Sequence, residues 1–171
     1  HAFFELEGGD SVLRIWGRRE GQVTRSLEKL ARQLESKSRK CGRLGTKRLE
    51  FLPEYANKAV YSSVFLQCDV LVVPSIWDEN SPLVIHEALQ CRIPVLTADH
   101  GGMGEFVTDG LNGFTFAHRD ATSLAQCLKR ALSSQAELLR LAQRGYLQNP
   151  SGNVMSSAEE GRKISNLYYR M

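Results

Sequence analysis

Two carboxylates, Glu79 and Glu87, have seven residues between them in the segment Pro74-Ser-Ile-Trp-Asp-Glu-Asn-Ser-Pro-Leu-Val-Ile-His-Glu-Ala-Leu. Asn80 or Ser81 is a good helix N-cap, and Pro82 suits the first helical position. A helix start of this kind offers free N–H groups and a positive dipole end, which favour phosphate. Glu87 falls about six residues into the helix, roughly 9 Å from its start at 1.5 Å per residue. Its neighbours Leu83, Val84, Ala88 and Cys91 are apolar, so its carboxylate needs hydrogen-bond donors. Sugar hydroxyls are suitable donors. Glu79 lies just ahead of the helix, so the two acids flank the phosphate site. A sugar nucleotide has that layout: hexose hydroxyls, pyrophosphate, ribose hydroxyls.

The elements that position these groups alternate between strand and helix patterns, which predicts an α/β fold with a parallel sheet. Strands are expected at 12–16, 48–52, 69–73, 94–97 and 113–116. The run Asp69-Val-Leu-Val-Val73 has the continuous apolar character of a strand buried on both faces. Helices are expected at 22–36, where Val23, Leu27, Leu30, Ala31 and Leu34 share one face, and at 57–67, 81–91, 120–133, 135–146 and 156–170. The basic stretch 36–47 and the glycine run 101–104 read as loops, and 147–154 as a linker. His1 to Glu7 reads as the back half of an amphipathic helix. Ligands of open α/β sheets bind at the carboxyl ends of the strands, and the helix after strand 69–73 starts there.

Composition excludes several classes. With 171 residues, 42% hydrophobic and 24% charged, the chain fits one globular domain with a C-terminal appendage. A net charge of +3 suits an anionic ligand without demanding one. The Arg/Lys cluster at 38–48 lacks interleaved aromatics, so no nucleic-acid partner is expected. Cys41, Cys68, Cys91 and Cys127 are widely spaced and read as free thiols of a reducing compartment, the cytoplasm. His86 and His100 lack metal-ligand spacing, and Ser75 and Ser81 have no His/Asp partner that the sequence can place. No apolar run approaches the roughly 20 residues that span a bilayer.

The stretch from Asp69 to Leu89, followed by Ile93-Pro-Val-Leu96 and Gly101-Gly-Met-Gly-Glu-Phe-Val107, resembles the C-terminal domain of family-4 retaining glycosyltransferases. Glu79 and Glu87 match that family's Glu, seven residues, Glu hallmark. Asp109-Gly-Leu-Asn-Gly-Phe-Thr-Phe116 resembles its next loop and strand, and Leu13-Arg-Ile-Trp-Gly17 its second strand. The resemblance covers about residues 1–133 and is dense from 69 to 116. It implies a Rossmann-like domain over residues 1–154, one half of a GT-B architecture, with 155–171 as the crossover helix.

The resemblance also implies roles. Glu79 holds the donor hexose beside the reacting phosphate and is the catalytic candidate. Glu87 binds the ribose hydroxyls. The backbone at Asn80, Ser81, Pro82, Leu83 and Val84 surrounds the pyrophosphate and sugar, although Pro82 has no N–H to give. Tyr55 stands at the base-contacting position, where Pro53 replaces the family's usual Gly. Gly101 and Gly102 let the backbone pass close to the site. The donor is a UDP-, GDP- or ADP-sugar, with no cofactor and no metal expected.

The expected function is hexose transfer from a nucleotide sugar to a glycan or lipid-linked acceptor with retention of anomeric configuration, as in polysaccharide biosynthesis. The expected setting is the cytoplasm, compatible with peripheral association at the cytoplasmic membrane face. The alternatives are a non-catalytic nucleotide-binding or interaction module, and a GT-B relative such as a sugar-nucleotide epimerase. The family's first strand, with its Arg and Lys, and the acceptor-binding N-terminal domain are expected before His1. This chain alone is expected to be inactive, with the space between strands 12–16 and 69–73 filled by residues outside it or by another chain. The last helix, with Ile164, Leu167, Tyr168 and Met171 on one stripe, is expected to need a partner surface.

Overall fold

The computed structural model describes residues 2–6, 9–18, 21–40, 46–143 and 156–169. The strands are all parallel. β1 (Ser11–Trp16) pairs with β2 (Lys47–Leu52), Ser11 opposite Lys47 and Trp16 opposite Leu52. β3 (Leu71–Val73), β4 (Val95–Ala98) and β5 (Gly113–Phe116) form a second sheet in that order. Parallel neighbours need crossover connections, usually helical. They are α2 (Gly21–Lys40), α4 (Leu83–Gln90) and α5 (Gly101–Phe106). The remaining helices are α1 (Ala2–Glu5), α3 (Val60–Ser63), α6 (Ala121–Ser133), α7 (Gln135–Ala142) and α8 (Ser157–Tyr168). The architecture is the expected α/β, Rossmann-like one.

The core is concentrated around β4. Val95, Leu96, Thr97 and Ala98 are all inaccessible to solvent, because β4 has a strand on each side and helices α4 and α5 against it. Ile85, Ala88 and Leu89 of α4 join Met103 and Phe114 in the same cluster. Each such large side chain contributes about 1.5–3 kcal/mol by leaving water. The buried Thr97 hydroxyl is satisfied by donating to the Val73 carbonyl at 3.3 Å. Phe3, Phe4 and Leu6 are buried at the start of the chain, where α1 packs on α6 and α2.

Several expectations are corrected. The basic segment after residue 36 continues α2 to Lys40, because no Gly or Pro lies between Gly21 and Gly42 to stop a helix. The helix expected at 57–67 is broken into a 3₁₀ turn at Asn57–Ala59, the short α3, and a 3₁₀ turn at Phe65–Gln67. Phe65 and Val64 are buried there, and packing them sets the irregular path. β3 is shorter than 69–73 and only half-buried, since it is hydrogen-bonded to β4 alone and has an unpaired edge. The glycine run 101–104 is helical rather than a loop, as α5.

The five strands stand as two sheets with no pairing between β1 and β3. Arg14 of β1 bridges toward the second sheet, donating from Nη1 to the Gln67 carbonyl at 3.1 Å while Nε bonds Glu50 at 2.9 Å. α8 begins with a Ser156/Glu159 capping box and buries none of its residues, and Ile164, Leu167 and Tyr168 are exposed. The expected linker at 147–154 and Met171 lie outside the described residues. Among the described residues no helix is long and apolar enough to cross a membrane.

Candidate functional site

Because β3, β4 and β5 are parallel, their carboxyl ends share one edge, and the segments that leave them converge there. After β3 the chain runs through residues 74–82 into α4. Pro82 is extended (ψ 114°) and occupies the cap position, so α4 starts at Leu83, one residue later than a first-turn proline requires. Neither Asn80 nor Ser81 caps it, and no side chain fills that role. The Ser81 hydroxyl lies 2.6 Å from His86 Nε2 instead. The structure thus supplies the histidine partner that the sequence left unplaced. His86 in turn packs edge-on against Phe106, with ring centroids 4.3 Å apart.

Glu79 is fixed by a compact turn. Ser75 Oγ donates to Glu79 Oε1 at 3.1 Å and accepts from the Trp77 amide at 3.3 Å, and the Glu79 amide donates to the Trp77 carbonyl at 3.0 Å. From the far side, the Gly102 amide donates to the Glu79 carbonyl at 2.8 Å. This contact explains both glycines. Gly101 has φ +53°, and a Cβ on Gly102 would stand 1.5 Å from the Asn80 carbonyl oxygen. No larger residue fits against residues 79–80 without moving them. Trp77, at the tip of the turn, leaves its indole 75% exposed.

Glu87 lies on α4, half-buried, and its carboxylate makes no hydrogen bond or ion pair with another described residue. Tyr55, carried past the end of β2, is close to it. Burial and then the Glu87 charge hold the Tyr55 phenol above its ordinary value. The same two causes, in that order, raise the Cys91 thiol. The structure therefore brings together Tyr55 and Glu87 from two different βα units. Glu79, Asn80, Gly101 and Gly102 form the second group, with the start of α4 (Leu83, Val84) between them in the chain.

A third cluster was not legible as a unit in the sequence. His100, just past β4, places Nε2 2.5 Å from Asp78 Oδ1. Its ring lies against that of His118, centroids 4.1 Å apart, and Arg119 Nη2 donates to the Ile76 carbonyl at 3.3 Å. Arg119 adopts φ +59°, an unusual conformation for a non-glycine residue, which turns the chain sharply after β5. Arg18 pairs with Glu54 at 3.0 Å on an exposed surface. Arg19 lies outside the described residues. Among the described residues, no three His, Cys, Asp or Glu side chains group to hold a metal ion.

Comparison with known proteins bears on this arrangement. Residues 2–148 match the family described as glycosyl transferases group 1. A D-inositol 3-phosphate glycosyltransferase from Stackebrandtia nassauensis is 37% identical over 81 residues, covering 47% of this chain and 18% of that protein. The sucrose-phosphate synthase of Thermosynechococcus elongatus superposes with a TM-score of 0.69 at 20% identity, over 99% of this chain and 41% of that one. Anabaena HepE in complex with UDP-glucose superposes with a TM-score of 0.61 at 22% identity, over 84% of this chain and 36% of that one. The structural likenesses, at such identities, establish the fold. The chain spans under half the length of each of these relatives.

Proposed function

The chain belongs to the glycosyl transferases group 1 family and has the fold of a GT-B C-terminal domain, and from that premise we propose that it is the donor-binding half of a retaining hexosyltransferase. The protein that carries it moves a hexose from a UDP-, GDP- or ADP-sugar to a glycan or lipid-linked acceptor held mainly by residues outside this chain. The observation that carries the reading is the pair of acids at one sheet edge. Glu79 is held in a turn ahead of α4, and the Glu87 carboxylate within it makes no hydrogen bond or ion pair with another described residue.

In this reading Glu79 faces the hexose hydroxyls and Glu87 accepts from the ribose hydroxyls. Tyr55, beside Glu87, lies along the base. The amides of Leu83 and Val84 and the dipole of α4 meet the pyrophosphate, with the backbone of Asn80, Ser81 and Pro82 lining the passage. Gly101 and Gly102 keep that passage open. Catalysis then rests on positioning and on stabilising the departing diphosphate. The acceptor need not be soluble, which leaves room for peripheral membrane association. A cytoplasmic setting agrees with Cys68, Cys91 and Cys127 standing as free thiols.

The test is to offer the full-length protein UDP-, GDP- and ADP-sugars and follow release of the nucleoside diphosphate and the anomeric configuration of the product. Consumption of one donor with retention supports the reading. Tight nucleotide binding with no consumption across acceptors would point to a non-catalytic module instead.

A further inference from the structure

We propose that His100 is a positioning residue for Glu79, holding the 76–80 turn through Asp78 and making recognition of the donor's sugar sensitive to pH. The inference rests on the donor-site reading and adds a regulated element to it.

The turn is tethered from three places that are distant in the chain. Arg119 holds the carbonyl of residue 76 at 3.3 Å, His100 holds the side chain of residue 78 at 2.5 Å, and Gly102 holds the carbonyl of residue 79 at 2.8 Å. The first and third are independent of pH, since one donor is a guanidinium and the other a backbone amide. The second is the tether that protonation can change. It acts on the residue immediately before Glu79, whose carboxylate, among the described residues, is hydrogen-bonded by Ser75 alone.

The groups facing His100 are Asp78 from the turn and His118 and Arg119 from the chain after β5. Asp99, its neighbour in sequence, lies against α5, with Oδ1 3.0 Å from where a Cβ on Gly104 would stand. Imidazole rings with centroids 4.1 Å apart do not both carry charge cheaply. Burial, then the nearness of His100 and Arg119, pushes His118 below its ordinary value. His118 thus gives up its proton more readily than an ordinary imidazole, and its ring lies tilted by 36° against that of His100. The hydrogen bond from His100 and its charge hold the Asp78 carboxyl below the usual range, so Asp78 stays ionised at neutral pH.

The sign follows. A protonated imidazole gives the Asp78 carboxylate a charge-assisted hydrogen bond. A neutral imidazole is a weaker donor to a carboxylate and less able to hold the turn. Asp78 is 90% exposed and His100 40% exposed. The change therefore belongs to the modest class of exposed charge pairs, about two- to fivefold in an equilibrium constant.

The experiment measures the ratio of dissociation constants for a bare nucleoside diphosphate and its sugar conjugate, from pH 5.5 to 8.5, on the full-length protein. The probes are UDP with UDP-glucose, ADP with ADP-glucose, and GDP with GDP-mannose. In the wild type the sugar's share of affinity should fall about two- to fivefold as pH rises across that window. His100→Asn and Asp78→Asn should each flatten that profile, and the double variant should add nothing further. His118→Phe, which keeps a stacking ring, should retain the slope. Thermal midpoints confirm that each variant is folded. Equal slopes in the wild type and His100→Asn would overturn the proposal while leaving the donor site intact. Absence of binding for every nucleotide at every pH would overturn the donor-site reading and this one with it.

Discussion

The two sheets of this domain, both parallel, differ sharply in how much water they exclude. In the β3–β4–β5 sheet the middle strand is wholly buried, and Phe114, Ile85 and Met103 close over it. In the β1–β2 sheet, Lys47 alone among the twelve strand residues is buried, and Ile15 is exposed. The difference is one of neighbours. β4 has a strand on either side, whereas β1 and β2 each pair with only one described strand. Strand propensity can be read locally, but burial is a property of what lies alongside. The candidate site draws its anchoring residues from the closed sheet, and only Tyr55 from the open one.

The comparison can be broken most directly by truncating one core residue in each sheet. Phe114→Ala, at a fully buried position, should cost about 3–5 kcal/mol of stability in denaturant unfolding. Leu13→Ala, half-buried on β1, should cost less than about 2 kcal/mol. Equal costs would mean that the open sheet is packed as tightly as the closed one.

A smaller effect sharpens the link between the closed sheet and the site. Gly102→Ala puts a methyl against the Asn80 carbonyl, so residues 79–80 must move or α5 must tilt. Overpacking of this kind costs about 1–3 kcal/mol, and the nucleotide-sugar affinity should drop together with the thermal midpoint. Retained affinity would show that the 79–80 backbone is not part of the donor passage.

The smallest effect is expected at the bridge between the sheets. Arg14→Met removes the bonds to Glu50 and to the Gln67 carbonyl but keeps the aliphatic stem. With both charged side chains about a third exposed, the pair should be worth no more than about 1 kcal/mol. Its loss should also speed amide exchange in β1 more than in β4. A larger cost would indicate that the two sheets depend on this contact for their relative placement.

Much of this was legible in the sequence where short-range rules suffice. Gly113-Phe-Thr-Phe116 follows a turn and alternates, and it is a strand with the expected bounds. The order of α and β segments led to the fold class. Legibility failed where tertiary contacts decide. Gly101, Gly102 and Gly104 have poor helix propensity, yet they lie in α5, where Gly102 leaves room for the Asn80 carbonyl. The terminal capping signal at Asn80-Ser81-Pro82 was misread because His86 takes the Ser81 hydroxyl. That partner is five residues away, near enough for a helix-start pattern containing His to have suggested it. The His100–Asp78 contact joins residues 22 apart through two different strand ends. No local spacing rule reaches it, although His100's place just past a strand put it on the functional edge.

The central claim is that Glu79 and Glu87 meet different parts of one donor. Calorimetry on the full-length protein with a nucleoside diphosphate and its sugar conjugate tests it in paired variants. Glu87→Ala should weaken both ligands equally, by about 1–3 kcal/mol, the range for hydrogen bonds to a charged group. Glu79→Gln should leave the bare diphosphate unchanged, weaken the sugar conjugate and depress turnover. If Glu79→Gln lowered diphosphate affinity as much as turnover, or Glu87→Ala left both affinities untouched, the assignment of the two acids would be contradicted.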